Sequence, residues 1–218
     1  MSLRKHCKDF LEDKENPTVF ELGVHWGEDT PYIASWCKGV TQYHGFEPDP
    51  RNLERIKEEW ANWHPNNFQI NLIDGAVSSE EGKGTLYLSD GVHALSGNVM
   101  TGANSLREPF EVINRFSWID FSKTINVQKH TIDNYCNKNN ISNIDFIWCD
   151  IQGCEYDMLL GAEKMLDNIG FMLLEYSDIE LYKGQKFLKD ILDLLGNKWE
   201  LVAQDDWDIV VKNKEYKR

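Results

Sequence analysis

Five times along this 218-residue chain, an apolar run compact enough to be a buried strand stops at an acidic or glycine-rich tip. Thr18–Leu22 runs through Glu21 into Gly23-Val-His-Trp-Gly27, and Gln42–Phe46 stops at Glu47-Pro-Asp49. Phe68–Ile73 stops at Asp74-Gly-Ala76, Ile144–Cys149 at Asp150-Ile-Gln-Gly153, and Phe171–Leu174 at Glu175. Segments of helical spacing separate the runs, so the pattern predicts an open, mostly parallel α/β sheet with right-handed crossovers. In such a sheet ligands sit beyond the carboxyl ends of the strands, where the strand order reverses. The five tips are therefore the first place to look for chemistry.

Leu3, Cys7, Phe10 and Leu11 predict a short leading helix, and Tyr32, Ile33 and Trp36 predict another after the first strand. Asp49 suits a helix cap and Pro50 its first turn, with Leu53, Ile56, Trp60 and Trp63 along one face. Regularity then breaks. Gly82-Lys-Gly84 and Thr85–Leu88 suggest a hairpin arm, Ser89–Ser105 is rich in Gly, Asn and Ser, and a short strand is expected near Ile125–Gln128. This inserted segment, about 82–128, reads either as extra β structure on the sheet edge or as an active-site lid. After the fourth run a helix is expected, with Met158, Leu159, Ala162, Met165 and Leu166 as its buried stripe and Gly170 past its end. Phe187, Leu188, Ile191, Leu194 and Leu195 mark a further helix closed by Gly196. Trp199–Val202 and Trp207–Val211 complete a C-terminal antiparallel hairpin. The expected fold is a doubly wound, Rossmann-like sheet within one domain over residues 1–218.

With 36 acidic against 23 basic residues the net charge is −13, which opposes binding to phosphate backbones and argues against a nucleic-acid partner. No apolar run is long enough to cross a bilayer, and no secretory h-region follows the amino end, so no membrane partner and a cytoplasmic location are expected. The five cysteines lack CxxC spacing and predict buried thiols rather than a metal site or a disulfide. His64, before Pro65, reads as a surface loop histidine.

Gly23 and Gly27 would let a backbone loop approach a ligand closely, yet their spacing is GxxxG rather than GxGxxG. The carboxylates of Glu28 and Asp29, which open the next helix, would repel a pyrophosphate but tolerate a cationic sulfonium. Glu47, at the second tip, is placed to accept ribose hydroxyls, a device that NAD enzymes share. An adenosine ligand without a phosphate loop points to S-adenosylmethionine. Asp74 is either a partner of the adenine amino group or a turn residue before Gly75.

His-Thr-Ile-Asp133, followed by Ile144-Asp-Phe-Ile-Trp-Cys-Asp150-Ile-Gln-Gly-Cys-Glu155 and then Leu-Leu-Gly-Ala162, resembles the FkbM-type methyltransferases. Glu21-x-Gly23-x-x-x-Gly27, Phe46-Glu-Pro48, Ala76-Val-Ser78 and Asn104-Ser-Leu106 resemble further motifs of that family, from about Val19 to Val211. The resemblance implies a class I methyltransferase sheet, S-adenosylmethionine as cofactor, and O-methylation of a hydroxyl on a sugar, glycan or secondary metabolite. It departs from the family pattern at Glu21 (commonly Asp), His25 (commonly Asn) and Gln152 (commonly Glu). Cofactor contacts are expected from Glu21, Gly23, Val24, His25, Trp26, Gly27, Glu47, Pro48, Asp74, Gly75, Ala76, Ser105, Asp150 and Gln152. Asp150 is the first candidate for a base, with a structural carboxylate as the alternative; His130 is a base if it faces the cleft. Glu155 either caps its helix or contacts substrate, and Glu175 would line the acceptor pocket. An NAD-dependent oxidoreductase and a non-catalytic protein on the same scaffold are the competing readings.

Overall fold

The computed structural model describes residues 2–63, 67–92, 97 and 99–217, so the expectation for His64 lies outside the described residues. The chain begins with α1 (Leu3–Glu12), β1 (Thr18–Leu22), α2 (Thr30–Trp36), β2 (Thr41–Glu47), α3 (Pro50–Glu59) and β3 (Phe68–Asp74). It continues through β4 (Ala76–Val77), β5 (Gly82–Asp90), α4 (Val112–Arg115), β6 (Asp120–His130) and α5 (Ile132–Asn139). It ends with β7 (Ile144–Cys149), α6 (Glu155–Leu160), β8 (Ile169–Glu175), α7 (Leu188–Leu195), β9 (Trp199–Gln204) and β10 (Asp208–Asn213).

Seven strands form one sheet in the order β3-β2-β1-β7-β8-β10-β9. The first five run parallel, and β10 pairs antiparallel with both β8 and β9. This is the Rossmann-like arrangement with a C-terminal antiparallel hairpin that the pattern of runs predicts. The order reverses between β1 and β7, whose residues are all buried. Successive side chains on a strand point to opposite faces, and the two apolar clusters divide accordingly. Val19, Phe146, Phe171 and Val210 join α1 and α2 through Cys7, Leu11 and Ile33. Phe20, Ile147, Met172 and Ile209 join α5, α6 and α7 through Ile132, Met158 and Ile191. Continuous apolar runs were needed because both faces are covered.

Three local differences from the sequence reading have physical causes. The helix after β7 ends at Leu160, and Gly161 follows, where a Cβ would stand 2.2 Å from the Ser78 carbonyl oxygen. The chain then turns with Asp133 accepting from the Lys164 and Met165 amides, although Met158, Leu159, Ala162 and Met165 still reach the core. Gly170 accordingly lies inside β8 rather than capping a helix. Helix α5, absent from the sequence reading, is capped by the Thr131 side chain accepting from Asn134 N and by Asn140 in the left-handed region (φ 56°). The inserted segment forms a second sheet, β4-β6-β5, in which β5 and β6 pair over most of their length. Between them, the described part of residues 91–119 reaches the loop after β8, where Pro109 bridges to Tyr182. No helix of the described residues is long and apolar enough to cross a membrane, and all five cysteines are buried and free.

Candidate active site

A cavity opens at the carboxyl ends of β1, β2 and β7, at the reversal of strand order, with an empty volume of about 920 Å³ that is partly open to solvent. Ten of the predicted cofactor contacts line it: Glu21, Gly23, Val24, His25, Glu47, Pro48, Gly75, Ala76, Asp150 and Gln152. Trp26, Gly27, Asp74 and Ser105 do not. Trp26 stacks on His25 with centroids 4.3 Å apart, and the Arg55 guanidinium lies 3.5 Å from its ring centroid. Asp74 is exposed.

The glycines of the first loop have a reason other than the one the sequence suggests. At Gly23 (φ 83°) a Cβ would stand 1.9 Å from the Asp150 carbonyl oxygen, and at Gly27 (φ 78°) one would strike the Trp60 indole. Both positions need a left-handed backbone and no side chain because protein packs against protein there. The loops after β1 and β7 touch, and this closes the floor of the cavity.

Glu47 ends β2 with only 3% of its surface exposed. Its Oε2 accepts from the His25 amide at 2.8 Å, and its Oε1 accepts from Asp49 N at 2.9 Å and Asn52 Nδ2 at 3.2 Å. Burial pushes its carboxyl up to about 7, against the opposing effect of these donors. Glu21, buried in β1, accepts from the Thr30 and Tyr43 hydroxyls, both at 2.7 Å, and burial raises it to about 8. Five carboxylates (Glu21, Glu28, Asp29, Glu47 and Asp150) line the cavity with no lysine or arginine among the described lining residues.

The far wall comes from the inserted segment, through Leu86, Thr101, Gly102, Asn104 and Leu106. The Thr101 hydroxyl donates to Asn52 Oδ1 at 2.7 Å and accepts from His25 Nε2 at 3.0 Å. Asn104 accepts from Ser89 N at 2.7 Å and donates to Asp49 Oδ2 at 2.8 Å. Thr101 and Asn52 were missed by the sequence reading. Asn52 was findable, five residues past Glu47 in the first turn of α3; Thr101 sits in irregular chain that carries no periodic signal.

The three candidate acid–base residues part company. Asp150 is exposed at the tip of β7 and lines the cavity. Glu155 is buried, its Oε1 accepting from the Ile151 and Gly153 amides at 3.1 and 3.3 Å, so it caps the loop that carries Asp150. Burial, then the charge of Asp150, raises its carboxyl above the ordinary range. His130 packs against Gly75 and Phe46, which line the cavity, but does not line it itself, and burial lowers its basicity. Glu175 reaches the site indirectly, through Gln152.

The methyltransferase FkbM domain model matches residues 21–204, which includes every strand tip described above. The chain is 32% identical over 207 residues to the 2-O-methyltransferase NoeI of Sinorhizobium fredii (strain NBRC 101917 / NGR234), covering 93% of this chain and 82% of that protein. Two solved structures share the fold. The methyltransferase FkbM from Methylobacillus flagellatus KT superposes with a TM-score of 0.52 at 13% identity, over 92% of this chain and 44% of that one. An rRNA methylase from Streptococcus thermophilus gives 0.51 at 12% identity, over 98% and 97%. A cavity at the strand reversal, a buried acid at the second tip and a matching domain along 21–204 lead to one assignment: this chain belongs to the FkbM methyltransferase family.

Proposed function

We propose that the chain transfers a methyl group from S-adenosylmethionine to a hydroxyl of a sugar, glycan or secondary metabolite, and that Asp150 takes the proton of that hydroxyl. The observation that carries this reading is the pairing of a buried carboxylate, Glu47, with a glycine bend that offers no phosphate loop. The donor set fits the cofactor. Glu47 suits the ribose hydroxyls, Ala76, Val77, Leu86 and Leu106 give an apolar wall for the base, and Glu28 and Asp29 give negative charge for a cationic ligand. The same carboxylates repel a pyrophosphate, which disfavours the NAD-dependent reading.

When bound, S-adenosylmethionine supplies an electrophilic methyl carbon on a sulfonium. The protein's own part is to orient the acceptor oxygen and to remove its proton, since a neutral hydroxyl is a poor nucleophile. Asp150 is the carboxylate of the acid–base candidates that opens to the cavity, while Glu155 is spent on backbone amides. The 2-O-methyltransferase named above makes a ring hydroxyl of a sugar the first acceptor to try, and the charge of −13 disfavours a nucleic acid.

Calorimetry with S-adenosylmethionine against NAD tests the cofactor, and binding of NAD alone would overturn it. Transfer of labelled methyl into a panel of sugars, with Asp150→Ala as control, tests the reaction. Full transfer by Asp150→Ala would remove Asp150 from its role.

A further inference from the structure

Gln152 stands where its family commonly has a glutamate, and its amide is fully engaged. Its Nε2 donates to Asp150 Oδ1 at 2.7 Å and to Glu175 Oε2 at 2.9 Å, while its Oε1 accepts from the Tyr182 hydroxyl at 2.8 Å. Its carbonyl accepts from Ser105 Oγ at 2.7 Å, and its backbone is left-handed (φ 53°), a conformation that strains a non-glycine residue. Both hydrogens of one amide nitrogen thus go to two different carboxylates. Neither carboxylate has an ion-pair partner among the described residues. The charged and titratable groups that face them are themselves mostly acidic: Glu155 at the start of α6, Asp208 opposite Glu175 on β10, and Asp29 before α2, with Arg4 of α1 bonded to Asp29. Burial and these like charges hold the Glu175 carboxyl well above the ordinary range.

We propose that Gln152 is a positioning residue that binds Asp150 and Glu175 into a pair sharing one proton, with Asp150 as its cavity-facing member. This role rests on the methyl-transfer reading of the cavity. Two carboxylates bonded to one amide nitrogen, without a cation, do not both ionise readily. Glu175 keeps its proton and Asp150 stays free to accept one. In the reaction the acceptor O–H bond breaks, the proton passes to a carboxylate oxygen of Asp150, and the proton of Glu175 stays in place. A glutamate at position 152 would add a third acid; glutamine instead supplies two donors. The two carboxylates set the orientation of the amide, since they need donors on the Nε2 side; this leaves Oε1 toward the Tyr182 hydroxyl, which also faces the Ala103 carbonyl at 3.0 Å.

The test is a carboxyl-carbon NMR titration of protein labelled with ¹³C at the Asp and Glu side-chain carboxyls, for the wild type, Tyr182→Phe and Gln152→Asn. Asparagine tolerates the left-handed backbone but is too short to reach both acids. In the wild type the pair is expected to lose its two protons in well separated steps. In Gln152→Asn an amide donor shared by the two carboxylates is lost, so the upper step should rise by about one pH unit or more, whereas Tyr182→Phe keeps both donors and should move it less. Two carboxyls titrating together in the ordinary range in the wild type, or an upper step unmoved in Gln152→Asn, would overturn the proposal. S-adenosylhomocysteine binding measured on the same samples separates the two readings. A wild type that binds none defeats the methyl-transfer reading, and the titration still decides the pair.

Discussion

The backbone N–H of His25 donates to Glu47 Oε2 at 2.8 Å, so the loop after β1 is laced to the tip of β2 by the carboxylate that faces the cavity. A carboxylate offers about four acceptor sites, and three are taken by His25 N, Asp49 N and Asn52 Nδ2. Glu47 therefore both shapes the bend and presents an edge to the ligand. Glu47→Gln keeps the volume but turns an NH2 toward at least one backbone donor. The expected loss in S-adenosylmethionine affinity is about 1–3 kcal/mol by calorimetry, in the range for hydrogen bonds to a charged group. An unchanged dissociation constant would take the ribose role away from Glu47.

The buried acids also predict how stability follows pH in the ligand-free protein. Burial raises Glu21 from 4.5 to about 8 and Glu47 from 4.5 to about 7, and raises Asp208 from 3.8 to about 7. Between the unfolded and folded values the folded chain holds protons that the unfolded chain has released. The unfolded state then binds fewer protons, and stability falls as pH rises through that window. Melting temperatures of the ligand-free protein should decline from about pH 5 to pH 8. A flat or rising profile would mean that these carboxylates are ionised without penalty in the native state.

The legible part of this fold is what depends on period and on strand ends. Val19 against Phe20 and Phe146 against Ile147 sort to opposite faces of the sheet, and such continuous apolar runs can be read from the sequence. Glu47 was legible because it ends the second run and because its spacing from Gly23 has a chemical meaning. The contacts of Thr101 with His25 and Asn52 were not, because they join residues 76 and 49 positions apart through a segment without regular structure. Gly23 and Gly27 were marked as special for the right conformation and the wrong neighbour: sequence shows that a side chain is missing, not what fills its place. Glu155 and His130 illustrate the same limit. Each belongs to a recognisable motif, yet whether a side chain turns to the cavity or to a backbone amide is decided by packing many residues away.

Gly23 gives a sharp mutational contrast. At Gly23 an alanine meets a main-chain carbonyl at 1.9 Å as well as an unfavourable φ of 83°, whereas at Gly82 (φ 123°) it meets nothing within 4 Å. Gly82→Ala carries conformational strain alone, roughly 1–3 kcal/mol. Gly23→Ala must in addition push the loop after β1 away from the loop after β7, so its loss on urea denaturation should exceed that of Gly82→Ala. It should also weaken S-adenosylhomocysteine binding, because those two loops form the cavity floor. Equal losses for the two variants would show that the contact with Asp150 relaxes without cost.

Thr101 and Asn104 hold the inserted segment across the cavity, and they can be released one at a time. Thr101→Val removes the hydroxyl bonded to Asn52 and His25 with little change of shape, leaving Asn52 Oδ1 its bond from Trp26 Nε1 at 3.1 Å. Its expected cost is about 1 kcal/mol, the net worth of an ordinary hydrogen bond. Asn104→Ala leaves the Ser89 amide without its acceptor, and an orphaned buried donor costs about 1–3 kcal/mol. If the segment closes over the ligand, both variants should speed amide exchange across residues 99–106 and speed release of S-adenosylhomocysteine. Asn104→Ala should have the larger effect on both, because it also frees the segment from Asp49 at the base of α3. Faster exchange with an unaltered release rate would separate the two, leaving the segment a packed wall of the cavity and no gate.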